Sequence, residues 1–497
     1  MSFVENYPAF SIILCMAAAI VSSGISGKYA RKLNMVLICV VALLSAITLE
    51  FCCRTQTFYV YSMGRFPAPW GNEIRFGVLE AMMALFFSVI MFFSILGGRK
   101  QLFREIDPFK ENLYYVLLDL LLSSLLALVY TNDMFTAYVF IEINTISACG
   151  LIMIRENGHT VEAAMRYMIM SLIGSGLILF GLCTLYDITG HLLMSNIKLA
   201  VIEVAQTGAY HVPLVISIIF LGVGLAIKSA LFPFHSWLPD SYGFSTVSSA
   251  AILSSLVSKG YIFLLIKIFY RVIGFEVIAE SKLFNVLFVF GLCGMIFGSI
   301  SAIRENDIRR MIAFSSVAQI GYIYMGFGLG IEAGMVASVF HILSHAATKS
   351  MLFISAAGLT DASGGSKRFV DLSGAGYRNV IAGITFTVGA LSMVGLPLFS
   401  GFISKILFAQ AAVEASPKKM LPTLICLGIS VILNAIYFLK TVLRIYVPVE
   451  SEYKSIRFKG NELFGVICIC FIILNMFLGM FSEPIVELIE EGLAYFA

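Results

Sequence analysis

The 497 residues are 59% hydrophobic and only 13% charged, with a formal net charge of +3. A soluble domain carries about 25% charged residues, so this composition argues against an ordinary globular enzyme and for a membrane protein. The small net charge gives no reason to expect a nucleic-acid partner.

Read in chain order, the apolar runs predict an all-α polytopic membrane protein of about fourteen spanning helices, at roughly 20 residues per crossing. The first, 8–26, has acidic Glu5 ahead of it and no basic start, so it is expected to stay as a membrane helix and not be cleaved as a signal. Runs at 34–53, 76–98, 113–131, 134–154 and 165–186 follow. The seventh, 212–232, ends in "GLAIKSALFPFHSWLPDSYG", where Pro233 and Pro239 interrupt it close to Lys228. Next come 246–268, 284–303, 311–331 and 333–358. The twelfth, 379–398 continuing as 401–414, is broken in "GALSMVGLPLFSGFISKILF" at Pro397 between two glycines, close to Lys405. Runs at 421–445 and 462–481 complete the set.

Proline removes a backbone donor and frees carbonyls that protein or water must satisfy. Broken helices at matching places in two halves suggest a repeat of five helices around a polar pathway. The expected segments are therefore 1–112 (three helices), 113–268 and 284–445 (one repeat each), and 446–497 (a last helix and the acidic "EPIVELIEEG").

Basic residues gather in alternate loops: Lys28, Arg31 and Lys32; Arg99, Lys100, Arg104 and Lys110; Arg304, Arg309 and Arg310; Lys367, Arg368 and Arg378; Lys454, Arg457 and Lys459. Lys418 and Lys419 are the exception. Positive loops stay inside, so both termini are expected on the outer face of a cell membrane.

An ionised side chain at mid-membrane costs about 2.5–3.5 kcal/mol even on a mild scale. Lys267, Arg166 and Glu50 are discounted as span-end residues that reach water. Nine ionisable groups remain deep: Glu80, Asp119, Glu142, Lys228, Lys259, His341, His345, Lys349 and Lys405. They must face one another or water. Glu142 and Lys228, on adjacent helices, are expected to form a coupled pair, either a switch or a static ion pair that fixes packing. Lys259 follows Ser254, Ser255 and Ser258, which can hold ordered water.

His341, His345 and Lys349 lie four residues apart in "VASVFHILSHAATKSMLFISAAG", so a helix sets them in one stripe. A metal pair lacks the glutamate of HExxH and a third ligand. A haem fails because two histidines on one helix face cannot lie on opposite sides of an iron. Packing histidines and a proton relay remain, and the relay fits best because histidine titrates near neutral pH, a desolvated lysine can be brought there, and one water can bridge successive sites. The ten cysteines have no metal or iron–sulfur spacing, so no cofactor, metal or redox centre is expected in this chain.

Several stretches carry a resemblance: "IKSALFPFHSWLPDSY", "LSSLVSKGYIFLL", "DIRRMIAFSSVAQIGYI", "FHILSHAATKSMLF" and "GLPLFSGFISK". Over nearly its whole length the chain resembles the antiporter-like subunits shared by respiratory complex I, membrane-bound hydrogenases and Mrp cation/proton antiporters. "MGRFPAPWGNEIRF" and "TNDMFTAYVFIEI" look most like the D-type component of Mrp antiporters and its hydrogenase counterparts. The resemblance implies fourteen helices with two inverted five-helix repeats, spans four to eight and nine to thirteen, and broken seventh and twelfth spans. It implies a proton path through Glu142, Lys228, Lys259, His341, His345, Lys349 and Lys405, with His235 as a candidate gate. Asp119 and Asp133 are candidate access points, and Glu80 is a candidate contact to a neighbouring subunit. "DSYGFSTVSSA" departs from the family's usual run of Pro and Ala. Implied partners are homologous membrane subunits and a soluble electron-transfer arm, and the implied ions are protons and Na+. The implied complex is a proton-pumping oxidoreductase or an antiporter. A stand-alone solute transporter would instead need a substrate-sized pocket at mid-membrane; a non-conducting scaffold would keep its deep charges paired and dry.

Overall fold

The computed structural model describes residues 3–66, 71–208, 210–448 and 462–496. Thirteen of its helices are long and apolar enough to cross a bilayer. We number the spans in chain order: Tyr7–Gly24, Gly27–Thr55, Val78–Glu105, Glu111–Tyr130, Met134–Met153, Gly158–Thr189, His211–Lys228, Val247–Ile273, Leu283–Arg304, Ile308–Leu329, Glu332–Ala362, the divided twelfth, Pro417–Ile445 and Glu462–Met480. The twelfth consists of Val380–Val394 and Ser400–Glu414, two helices of 15 residues each. The seventh stops at Lys228, and the chain resumes as Leu238–Phe244 only after an irregular turn. The twelfth span breaks at its proline as predicted, whereas the seventh stops at Lys228, four residues before its expected end at 232.

Short polar side chains start the helices. Asp133 accepts from Thr136 N at 2.7 Å, Asn157 from Thr160 N at 3.0 Å, and Asp307 from Arg309 N and Arg310 N, satisfying donors that the first helical turn leaves free. The eighth and eleventh spans are buried all round and form the centre of the bundle. Beside them the ninth and tenth cross backbone to backbone. A Cβ at Gly291 would stand 2.4 Å from Met325 N, and one at Gly321 would stand 2.6 Å from Met295 N.

The ends of the helices sort into two faces. On one, Arg31 pairs with Glu111, Arg155 with Glu105, and Arg310 with Asp240; the backbones at Asp307 and Arg368 form a β-bridge, and Arg444 bonds Phe369 O. The basic loops through Arg378 thus share this side, hereafter the basic face; Lys454, Arg457 and Lys459 lie outside the described residues. On the opposite face the hairpin Tyr59–Ser62/Glu73–Phe76 joins the start of the fifth span through Ile74 and Thr131. The acidic segment there is a helix, Ser482–Ala494. Arg75 Nη2 bonds Tyr495 O at 2.5 Å and Tyr495 OH bonds Gln56 O at 2.5 Å, which ties the last residues to the hairpin.

Candidate functional site

The break in the seventh span leaves Lys228 as its last helical residue, buried beside the fifth span. Its Nζ donates to Thr145 Oγ1 at 2.6 Å. The expected direct pair with Glu142 is not formed: Glu142 Oε1 is buried with no hydrogen-bond partner. Thr145 and Glu142 are three residues apart on one helix face, so a rotamer change of the lysine can exchange one acceptor for the other. The Thr145 hydroxyl is 3.4 Å from Tyr261 OH, which donates to Asn144 Oδ1 at 3.0 Å; Asn144 Nδ2 in turn donates to Ser124 at 2.9 Å. This hydroxyl and amide chain carries the site from the fifth and seventh spans into the eighth. Composition pointed to none of Tyr261, Asn144 and Ser124 as a unit, because their contacts join distant parts of the chain.

The eighth span departs from regular α-helix at both ends of its polar segment. Leu253–Val257 and Ile268–Ile273 are π-helical turns, a geometry frequent at functional sites. Lys259 Nζ donates to Ser254 O inside the first of them. Ser255 Oγ accepts from Ser350 Oγ at 3.0 Å, and Ser94 Oγ donates to Ser350 Oγ at 3.2 Å, so serines link the eighth, eleventh and third spans at this level.

On the eleventh span the predicted stripe is present. Lys349 Nζ donates to Ile312 O at 2.8 Å and to Ser315 Oγ. The His341 and His345 rings stack 5.8 Å apart and 4° from parallel. Neither ring nitrogen of His345 has a partner, nor does His341 Nε2. His341 Nδ1 lies 2.6 Å from Ser404 Oγ, and Ser344 donates to Ser400 at 2.8 Å. The second half of the divided span therefore docks on the histidine end of the stripe. Lys405 next to Ser404 adjoins His341, whereas Lys349 marks the other end. Lys405 Nζ donates to Met393 O at 2.8 Å and lies 5.9 Å from the Tyr322 ring. Of the four deep lysines, 228, 259, 349 and 405, none pairs with a carboxylate among the described residues; each is held by a hydroxyl or a backbone carbonyl.

Other predicted residues have different surroundings. Glu80 does not wait for a neighbouring subunit: it pairs internally with Arg271 and accepts from Gly77 N at 3.0 Å. Lys267 is not a span-end residue in water but fully buried, because the eighth span continues to Ile273. Its ammonium crowns the carbonyl end of the fourth span, donating to Leu128 O at 3.2 Å, Val129 O at 3.0 Å and Thr131 O. Its spacing of four from Arg271 was the available signal. Arg166 and Glu50 are exposed, as expected. Asp119 accepts from Ser22 at 3.1 Å and Asn34 at 2.6 Å, between the first, second and fourth spans. Asp133 caps the fifth span, and His235 stacks on Phe232 at 5.3 Å with its Nδ1 unpartnered. No group of three His, Cys, Asp or Glu suited to a metal ion occurs among the described residues.

Residues 131–431 match the family described as NADH:quinone oxidoreductase/Mrp antiporter, transmembrane. NADH-quinone oxidoreductase subunit N of Desulforudis audaxviator is 31% identical over 398 residues, 78% of this chain and 75% of that protein. The D-type component of a Na(+)/H(+) antiporter from Alkalihalophilus pseudofirmus is 28% identical, covering 71% of this chain and 69% of the relative. Two solved assemblies contain chains of the same fold. One is an archaeal membrane-bound sulfane sulfur reductase (TM-score 0.86, 23% identity, 99% of this chain and 97% of that one). The other is the Mrp complex from Dietzia sp. (TM-score 0.86, 21% identity, 100% and 98%). Sequence match, shared fold and a line of deep lysines beside two broken helices agree: the chain is an integral membrane protein of the NADH:quinone oxidoreductase/Mrp antiporter family.

Proposed function

We propose that this chain is the proton-translocating, or cation/proton-exchanging, subunit of a larger membrane complex. Protons are taken up near Glu142 and Lys228, pass by Thr145 and Tyr261 to Lys259, continue to Lys349 and His345, and leave through His341 and Lys405. One observation carries this reading: the deep lysines rest on neutral hydroxyls and carbonyls and not on carboxylates. A lysine held by neutral groups is not locked to a fixed counter-charge, so it can pass its proton to a neighbouring site without stranding a buried carboxylate. A scaffold would need each charge permanently paired, as Glu80 and Arg271 are. The energy source lies outside the chain, in homologous membrane subunits and either a soluble electron-transfer arm or an opposing Na+ gradient. The names of its relatives, an NADH-quinone oxidoreductase and a Na(+)/H(+) antiporter, support both options.

The test is ion movement in membrane vesicles that carry the intact complex. Lys228→Ala and Lys259→Ala should each assemble normally and slow proton movement on the order of a hundredfold. Unchanged flux in either variant, at equal amounts of complex, overturns the pathway.

A further inference from the structure

The thirteenth span carries a polar stripe that the pathway above does not use. Ser430, Asn434, Tyr437 and Thr441 recur every three to four residues on one face of a helix whose other face is apolar and lipid-exposed. Ser430 and Asn434 are wholly buried, yet Ser430 Oγ and Asn434 Nδ2 have no hydrogen-bond partner. Tyr322 OH, on the facing tenth span, is likewise buried and unpartnered, and lies within interaction reach of Ser430. Buried polar atoms without protein partners are costly unless solvent satisfies them. The Tyr437 hydroxyl donates to Asn434 Oδ1 and faces Ser315 and Ser299. Ser315 is the hydroxyl that holds Lys349, and the Tyr322 ring lies beside Lys405. The stripe therefore passes both ends of the histidine–lysine row from behind the tenth span.

Its outer limit is also defined. Tyr437 and Thr441 line a groove of about 880 Å³ between the ninth and thirteenth spans, and Glu305, Lys440 and Arg444 stand at its basic-face end. Most of the groove wall is aliphatic; within it the Thr441 hydroxyl donates to Tyr437 O at 2.8 Å, and the Tyr437 hydroxyl reaches inward to Asn434 Oδ1.

We propose that Thr441, Tyr437, Asn434 and Ser430 form a second hydrated line, which runs from the basic face past Ser315, the hydroxyl that holds Lys349, and on to Tyr322 beside Lys405. It would let the second half of the protein load protons without drawing them through Glu142 and Lys228. The proposal rests on the deep lysines carrying protons, and its test is chosen to separate the two ideas.

Ser430→Cys and Asn434→Cys, each in the full chain and in its native membrane, are exposed to methanethiosulfonate ethylammonium, with Thr145→Cys as the marker for the first line. Peptide mapping reads each position separately from the native cysteines. Both thirteenth-span positions should react about tenfold faster than buried Cys468. Inert cysteines at 430 and 434 beside a reactive one at 145 discard the second line and leave the first standing. If all three are inert, both lines fall. Reaction at 430 or 434 without 145 keeps the second line and removes the first. Tyr437→Phe, which deletes one hydroxyl and no volume, should reduce proton movement severalfold at equal assembly; full flux in that variant also counts against the line.

Discussion

Thr145 shows how a single hydroxyl can govern a deep charge. It occupies the hydrogen bond that Glu142 would otherwise take from Lys228. Thr145→Val keeps the volume and removes the acceptor, so the lysine should transfer to the carboxylate, and proton movement should slow while assembly is retained. Glu80 and Arg271 illustrate the opposite case, a pair with 1% and 2% side-chain exposure. Breaking such a pair strands a charge, so Glu80→Gln should lower stability by about 3–5 kcal/mol in thermal unfolding, and adding Arg271→Met should restore most of it. Outside the bilayer, Lys367 donates to Gly243 O at 3.1 Å, and burial, with Arg309 nearby, draws its ammonium down to about 7. A free lysine titrates near 10.4, so between about pH 7 and 10.4 the unfolded chain binds more protons than the folded one and stability rises with pH. Lys367→Met should flatten the rise in melting temperature between about pH 7 and 9. The sequence exposes such residues because ionisable groups in apolar runs are rare. It does not reveal their partners, since Glu80 and Arg271 are 191 positions apart.

Among the elements, legibility follows local chemistry. The breaks of the seventh and twelfth spans were readable because proline and glycine act on their own backbone. The two π-turns were not, since no residue type marks them. That span also runs on to Ile273, past its expected end at 268. Lys267 looked like a water-facing terminus, yet in the interior it is held by carbonyls, and Arg271 four residues on is ion-paired. The crossing of the ninth and tenth spans depends on glycine alone. Gly291→Val would place atoms inside the Met325 backbone and should destabilise the protein by about 1–3 kcal/mol, whereas Gly428→Ala, in mid-helix and facing open space, should be neutral or stabilising by up to about 1 kcal/mol.

For the whole molecule, the sidedness of charge is the property that composition displayed most directly. The basic loops, scattered along the chain from Lys28 to Arg378, converge on one face through ion pairs that no local pattern encodes. If that face is cytoplasmic, as the excess of Lys and Arg predicts, a reporter fused to either terminus will be read from outside the cell. The clasp at the opposite face has a consequence for stability. Phe496 lies against the Arg271 guanidinium at 3.8 Å, and Tyr495 is pinned to the hairpin. Phe496→Ala would leave the paired guanidinium without the ring that covers it, and should lower the melting temperature while leaving the Glu80–Arg271 pair in place.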